Sequence, residues 1–174
     1  EITYIMVDGK GDPNDPNGQY QQALEILYGL SFTIKMSKMK QKQPEGYFEY
    51  VVPPLEGLWW KEDEVFDGMN NIDKTRFHWI SMIRQPEFVT NEVFLWAKQE
   101  LQQKRPELDL TKVKLQTIKE GTCAQLMHIG PYDEEPKSIK ILNQFIENQN
   151  YQLDISNQRK HHEIYLSDPR RTKP

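Results

Sequence analysis

A single cysteine, Cys123, stands among 174 residues, so no internal disulfide can staple this fold. One free thiol fits a reducing compartment, and the cytoplasm is the expected location. Long apolar runs are also missing. No stretch approaches the ~18 consecutive apolar residues that span a bilayer, and no membrane association is expected. No basic segment leads into an apolar one as an export signal would. Basic excess is absent too: 22 Lys and Arg face 26 Asp and Glu, for a net charge of −4. Direct nucleic-acid binding needs a concentrated basic surface, and it is not expected here. The densest basic stretch, Lys35, Lys38, Lys40 and Lys42, reads as the solvated end of a helix, and Arg170, Arg171 and Lys173 as a solvated tail.

What is present suffices for one packed domain. The chain is 37% hydrophobic and 11% aromatic, enough for a sizeable core, and residues 1–174 read as a single unit. Residues 2–8 predict a strand that Gly9 and Gly11 end. A loop of Asp, Asn, Pro and Gly follows. The spacing of Tyr20, Ala23, Leu24, Leu27 and Leu30 then predicts a helix. Residues 47–60 are strand-like, with an edge or bulge at Pro53-Pro54, and 76–84 predict another strand. Thr90 or Asn91 can cap a helix that Pro106 stops. Residues 111–119 and 122–129 read as strands turning at Glu120-Gly121, and Cys123 within the second reads as a buried, inert thiol. An acidic helix start at Asp133, Glu134 and Glu135 precedes Pro136, with Ile139, Leu142, Phe145 and Ile146 as the buried stripe. The last strand is 161–167, ended by Asp168-Pro169.

The two halves, about 1–89 and 90–174, resemble one another. Displacing the chain by 121 sets Ile5, Met6 and Gly9 on Leu126, Met127 and Gly130. A displacement of 84 sets Ile80 and Met82 on Ile164 and Leu166. Each half alone is too small to bury much. The expectation is an α+β fold of duplicated β-α-β-β units. They form a pseudo-twofold antiparallel sheet, with helices on one face and a central ligand cleft. Alternation sorts the last strands into two sets. Ile80, Met82, Ile164 and Leu166 are expected to face the helices. Phe77, Trp79 and Ser81, with His161, Glu163 and Tyr165, are expected to face the cleft.

The run His128-Ile-Gly-Pro-Tyr-Asp-Glu-Glu-Pro136, the run His161-His-Glu-Ile-Tyr-Leu-Ser-Asp-Pro-Arg-Arg171, and Pro54-Leu-Glu-Gly-Leu-Trp-Trp60 resemble the GyrI-like small-molecule-binding family. The resemblance covers the whole chain and implies the duplicated fold. It further implies either a multidrug-sensing role, as in transcription activators, or hydrolytic opening of cyclopropane rings in DNA-alkylating compounds, as in stand-alone members. It sets the family's cleft glutamate on Glu163 and its cleft aromatics on Trp59 or Trp60, Trp79, Tyr132 and Tyr165. Relatives usually continue beyond Pro174, so one wall of the site can be lacking.

Glu163 is the expected catalytic group. A carboxylate among apolar strand positions costs several kcal/mol if buried without partners. It therefore suits a cationic ligand or a general base. Trp59, Trp60, Phe77, Trp79, Tyr132, His161 and Tyr165 are the expected ligand-binding residues. Adjacent strand residues diverge, so His161 and His162 make a poor chelating pair, and neither a metal nor another cofactor is expected. A small molecule is the expected partner, with the identity of any protein partner open. Inhibition of another protein through an edge strand is a third reading, against which Pro53-Pro54 argues.

Overall fold

The structure is a computed structural model that describes residues 1–62, 65–69, 73–156 and 158–167. Five strands make one antiparallel sheet: β1 (Ile2–Lys10), β2 (Leu55–Lys61), β3 (Phe77–Arg84), β4 (Lys114–Ile118) and β5 (His161–Tyr165). Their order is β4-β1-β3-β2-β5. Among the described residues three α-helices accompany them: α1 (Gln19–Lys35), α2 (Asn91–Lys104) and α3 (Glu135–Asn148). The fold class is α+β, as expected; the duplication remains a pattern in the sequence. The stop at Asp168-Pro169 and the basic tail lie outside the described residues.

α1 forms where the 3.6-residue period was legible. Tyr20, Ala23, Leu27 and Leu30 are buried on one side, and Ile26 and Ile34 extend the stripe to the helix end. Thr90 caps α2, its hydroxyl accepting from the Val93 N–H at 3.3 Å. Both helices cover the same sheet face. There Ile5, Val7, Trp79 and Ile83 meet Leu27, Leu30, Ala97 and Leu101 in the main core. Burying each such side chain contributes about 1.5–3 kcal/mol.

The assignment of faces is the reverse of the expectation. Phe77 and Trp79 point at the helices, with Trp79 edge-on to Tyr20 at 5.1 Å. Met82 joins a small cluster on the opposite face with Tyr4, Met6, Leu58 and Ile80. Ile164 and Leu166 are exposed. A period of two separates side chains into two sets but does not say which set a helix will cover.

Three further elements differ. Strand pairing in the 47–60 stretch begins only at Leu55, after the prolines that lack an N–H. Tyr47, Phe48 and Tyr50 instead pack around Phe88. Residues 122–129 join no ladder among the described residues; Leu126, Met127 and Ile129 are exposed there, and so is Cys123. In α3 only Ile139 is buried, while Phe145 is 55% exposed. No helix among the described residues is long and apolar enough to cross a membrane.

Candidate functional site

The register between β2 and β5 builds the site. It sets Trp59 opposite His161, Gly57 opposite Glu163 and Leu55 opposite Tyr165. Residues two apart share a face, so these six positions look toward the helices. Gly57 makes room there: a Cβ at this position would stand 2.6 Å from Trp59 Nε1 and 3.2 Å from the Tyr165 hydroxyl. The indole thus lies over bare backbone and donates its N–H to Tyr165 Oη at 2.8 Å. Tyr165 in turn donates to Glu163 Oε2 at 2.5 Å. Burial, reinforced by the neighbouring Glu163 charge, holds the Tyr165 hydroxyl well above its ordinary pKa, so it stays a donor.

The other oxygen of Glu163 lies 3.2 Å from His161 Nε2. The direction of approach is not that of a hydrogen bond, and this covered nitrogen has no hydrogen-bond partner. Charge and proximity, not a directed bond, relate the two groups. Neither side chain faces bulk water: Glu163 is 18% exposed and His161 11%.

Glu135, the first residue of α3, completes the acidic part. Its donor atom and those of His161 and Glu163 all lie within 4.8 Å of one another. Burial, with the Glu163 charge second, pushes the Glu135 carboxyl up to about 7, against an opposing pull from His161 and His128. A proton therefore stays on this acid at pH values where an ordinary glutamate has lost it.

Aromatic rings wall the group. Tyr20 of α1 stands 5.7 Å from Trp59, and Phe77 meets Trp59 edge-on at 5.5 Å. Phe66 packs edge-on against His161 at 5.5 Å. Tyr132, 44% exposed, lies edge-on to Tyr165 at 6.4 Å and forms an outer rim.

Of the expected residues, the structure brings together Trp59, Tyr132, His161, Glu163 and Tyr165, with Phe77 behind them. Trp60 is turned away: it stacks on His78 at 5.6 Å, and Lys160 Nζ sits 4.9 Å over its ring. Trp79 is a core residue, 1% exposed, covered by α1. Glu135, Tyr20 and Phe66 are additions. The acidic residue before Pro136 was the visible signal for Glu135, but such a residue equally suits the positive end of a helix.

The two adjacent histidines do diverge. His162 points to the other face, its ring nitrogens 2.9 Å from Glu56 Oε2 and 2.8 Å from Glu120 Oε1. Burial alone would lower its pKa; the hydrogen bonds to both carboxylates outweigh that and raise it. Tyr4 donates to Glu56 at 3.1 Å beside it. A hollow of about 340 Å³ lies here, lined by Ile2, Tyr4, Met82, Ile118, Glu120 and His162 among others. It is separate from Glu163. The hollow is open, and Glu120 on its wall and Glu56 beside it are taken up by His162, whereas the Glu163 group has rings around it. The latter is the better candidate for chemistry.

The chain matches the GyrI-like small molecule binding domain over residues 1–174. It is similar to the crystal structure of an uncharacterized conserved protein from Listeria innocua, at 46% identity and a TM-score of 0.91, covering 100% of this chain and 82% of that one. It is also similar to a hydrolase from Listeria innocua, at 44% identity and a TM-score of 0.87, covering 99% of this chain and 81% of that one. Among curated protein sequences, none matches significantly.

Proposed function

Because the chain belongs to the GyrI-like small-molecule-binding family, we propose that the Trp59, Tyr165 and Glu163 group binds an aromatic xenobiotic and hydrates a strained cyclopropane ring in it. Glu163 accepts a proton from a water molecule as the water oxygen adds to a ring carbon. The ring C–C bond breaks, its electron pair passes into the conjugated carbonyl, and that oxygen takes up a proton. The product is a ring-opened alcohol heavier by one water. No cofactor enters this step.

The observation that carries the reading is the position of Glu163. It is mostly covered, held through one oxygen by Tyr165, and lies in a group of packed rings whose exposed member, Tyr132, can stack on a planar ligand. Ring pairs contribute about 0.5–1.5 kcal/mol each beyond their burial. A fixed carboxylate beside a held substrate supplies orientation and charge stabilisation together. The hydrolase from Listeria innocua of similar structure favours the same direction.

Incubation with a cyclopropane-bearing alkylator, followed by mass spectrometry, tests this. A gain of one water is expected, with turnover largely lost in Glu163→Gln. Equal turnover by that variant overturns the role given to Glu163.

A second reading is binding without chemistry. Two carboxyl groups among rings suit an aromatic cation, which gains about 0.5–2 kcal/mol over a ring face. Calorimetry with cationic dyes would then show saturable binding, weaker in Glu163→Gln, and no change in ligand mass.

A further inference from the structure

We propose that Glu135, His161 and Glu163 bind a divalent transition-metal ion of the zinc class, and that the bound ion switches off the water-activating role of Glu163. The switching part rests on the hydration reading above; the ion site does not.

The spacing of the three side chains is the first ground. Here all three donor atoms lie within 4.8 Å of one another. Donor atoms this close suit one small shared species. Zinc holds its ligands at about 2.0–2.2 Å in a tetrahedron, which separates neighbouring donors by roughly 3.3–3.5 Å. His161 Nε2 and Glu163 Oε1 are 3.2 Å apart.

The state of His161 is the second ground. Its Nε2 is covered and has no hydrogen-bond partner, although a carboxylate oxygen lies beside it. A ring nitrogen that lies beside an acid but is not directed at it is placed as a co-ligand would be. Glu163 is meanwhile held through its other oxygen by Tyr165, which takes the Trp59 N–H, so Oε1 is left for an ion. Such outer partners orient ligands and strengthen them. His161 is steadied in turn by the edge-on ring of Phe66.

One imidazole and two carboxylates suit zinc, cobalt, iron or manganese better than calcium or magnesium, which prefer oxygen alone. Three protein ligands leave a position open for water. His162 offers no rival site, because its two carboxylate partners sit at opposite nitrogens of the ring and cannot share one ion. An ion on Glu163 Oε1 occupies the oxygen that would accept the proton from water.

The full chain, stripped with EDTA and dialysed, would be titrated with zinc chloride by calorimetry and with cobalt(II) by visible absorption. One ion per chain is expected, with the intense visible band of low-coordinate cobalt. Affinity is expected to fall about tenfold or more in both His161→Ala and Glu135→Gln, and to hold in His162→Gln. Circular dichroism would check that each variant is folded. No binding by the parent chain, or binding unchanged in both Glu135→Gln and His161→Ala, overturns the site. For the switch, hydration by the metal-free protein should drop at least tenfold with one equivalent of zinc and return with EDTA. Hydration that ignores bound zinc overturns the switch. Absence of hydration even without metal sinks the hydrolase reading, and with it the switch, while a specific ion titration still upholds the site.

Discussion

Trp59 and Tyr165, 106 residues apart, are joined by an indole N–H to phenol hydrogen bond of 2.8 Å, and the same phenol donates to Glu163. The carboxylate is thus oriented through two side chains on two strands. Tyr165→Phe would break both bonds and strand a covered indole N–H. A loss of about 1–3 kcal/mol is expected in urea denaturation. Ligand affinity should fall with it, because Glu163 would be free to turn.

Gly57 sets the space for that arrangement. In Gly57→Ala the added carbon would meet Trp59 Nε1 at 2.6 Å, so the indole must shift off Tyr165. Overpacking of this kind costs about 1–3 kcal/mol. The expected signature is a changed tryptophan fluorescence and weakened ligand binding, while circular dichroism still shows the sheet. Gly9→Ala is the control. Its carbon would strike the buried ring of Trp79 at 2.3 Å, lowering stability without touching the site directly.

Glu135 should make stability depend on pH in the sense opposite to most acids. Its folded carboxyl titrates at about 7 against an ordinary 4.5, so the folded state holds the proton longer. Stability is therefore lost as pH rises from 4.5 through 7. The difference corresponds to at most roughly 3 kcal/mol, and to less because solvent reaches the group. In metal-free buffer, Glu135→Gln should match the parent near pH 4 and exceed it at pH 8. Denaturation curves at the two pH values would check this.

His162 should act the other way round. Its folded pKa is raised by Glu56 and Glu120, so its contribution is full below the unfolded value of about 6.5. It is lost as pH rises through the folded value. The stability gap between the parent and His162→Gln should be wider at pH 6 than at pH 9. Protection from hydrogen exchange near Glu120, relative to the intrinsic rate at each pH, should fall over the same range, because that carboxylate is held by His162.

Much of this architecture could be read from residue spacing. The stripe of Tyr20, Ala23, Leu27 and Leu30 announced α1, and Thr90 announced the cap of α2. The last strand carried Glu163 and Tyr165 on one side, as alternation requires. What spacing could not supply was the covering partner. Trp79 was expected in the cleft, yet α1 lies over it, and only packing decides that. Trp59 and Trp60 were separable as facing opposite ways, but the register with β5 was needed to say which one meets Tyr165. Residues 122–129 alternate like a strand, and no neighbour pairs with them among the described residues. Glu135 was seen as a helix start; that it meets Glu163 depends on where α3 begins relative to β5.

The edge pairing of β5 on β2 has a consequence for biosynthesis. Trp59 leaves the ribosome 106 residues before Tyr165, a delay of roughly 5–20 s at ordinary elongation rates. Until β5 pairs, Tyr20 and Trp59, joined by Phe77 once it emerges, lack the cover of the last strand, and sticky rings on a nascent chain invite chaperones and misassembly. The last strand to arrive both carries the acid and shields those rings, so competence and protection from aggregation come together.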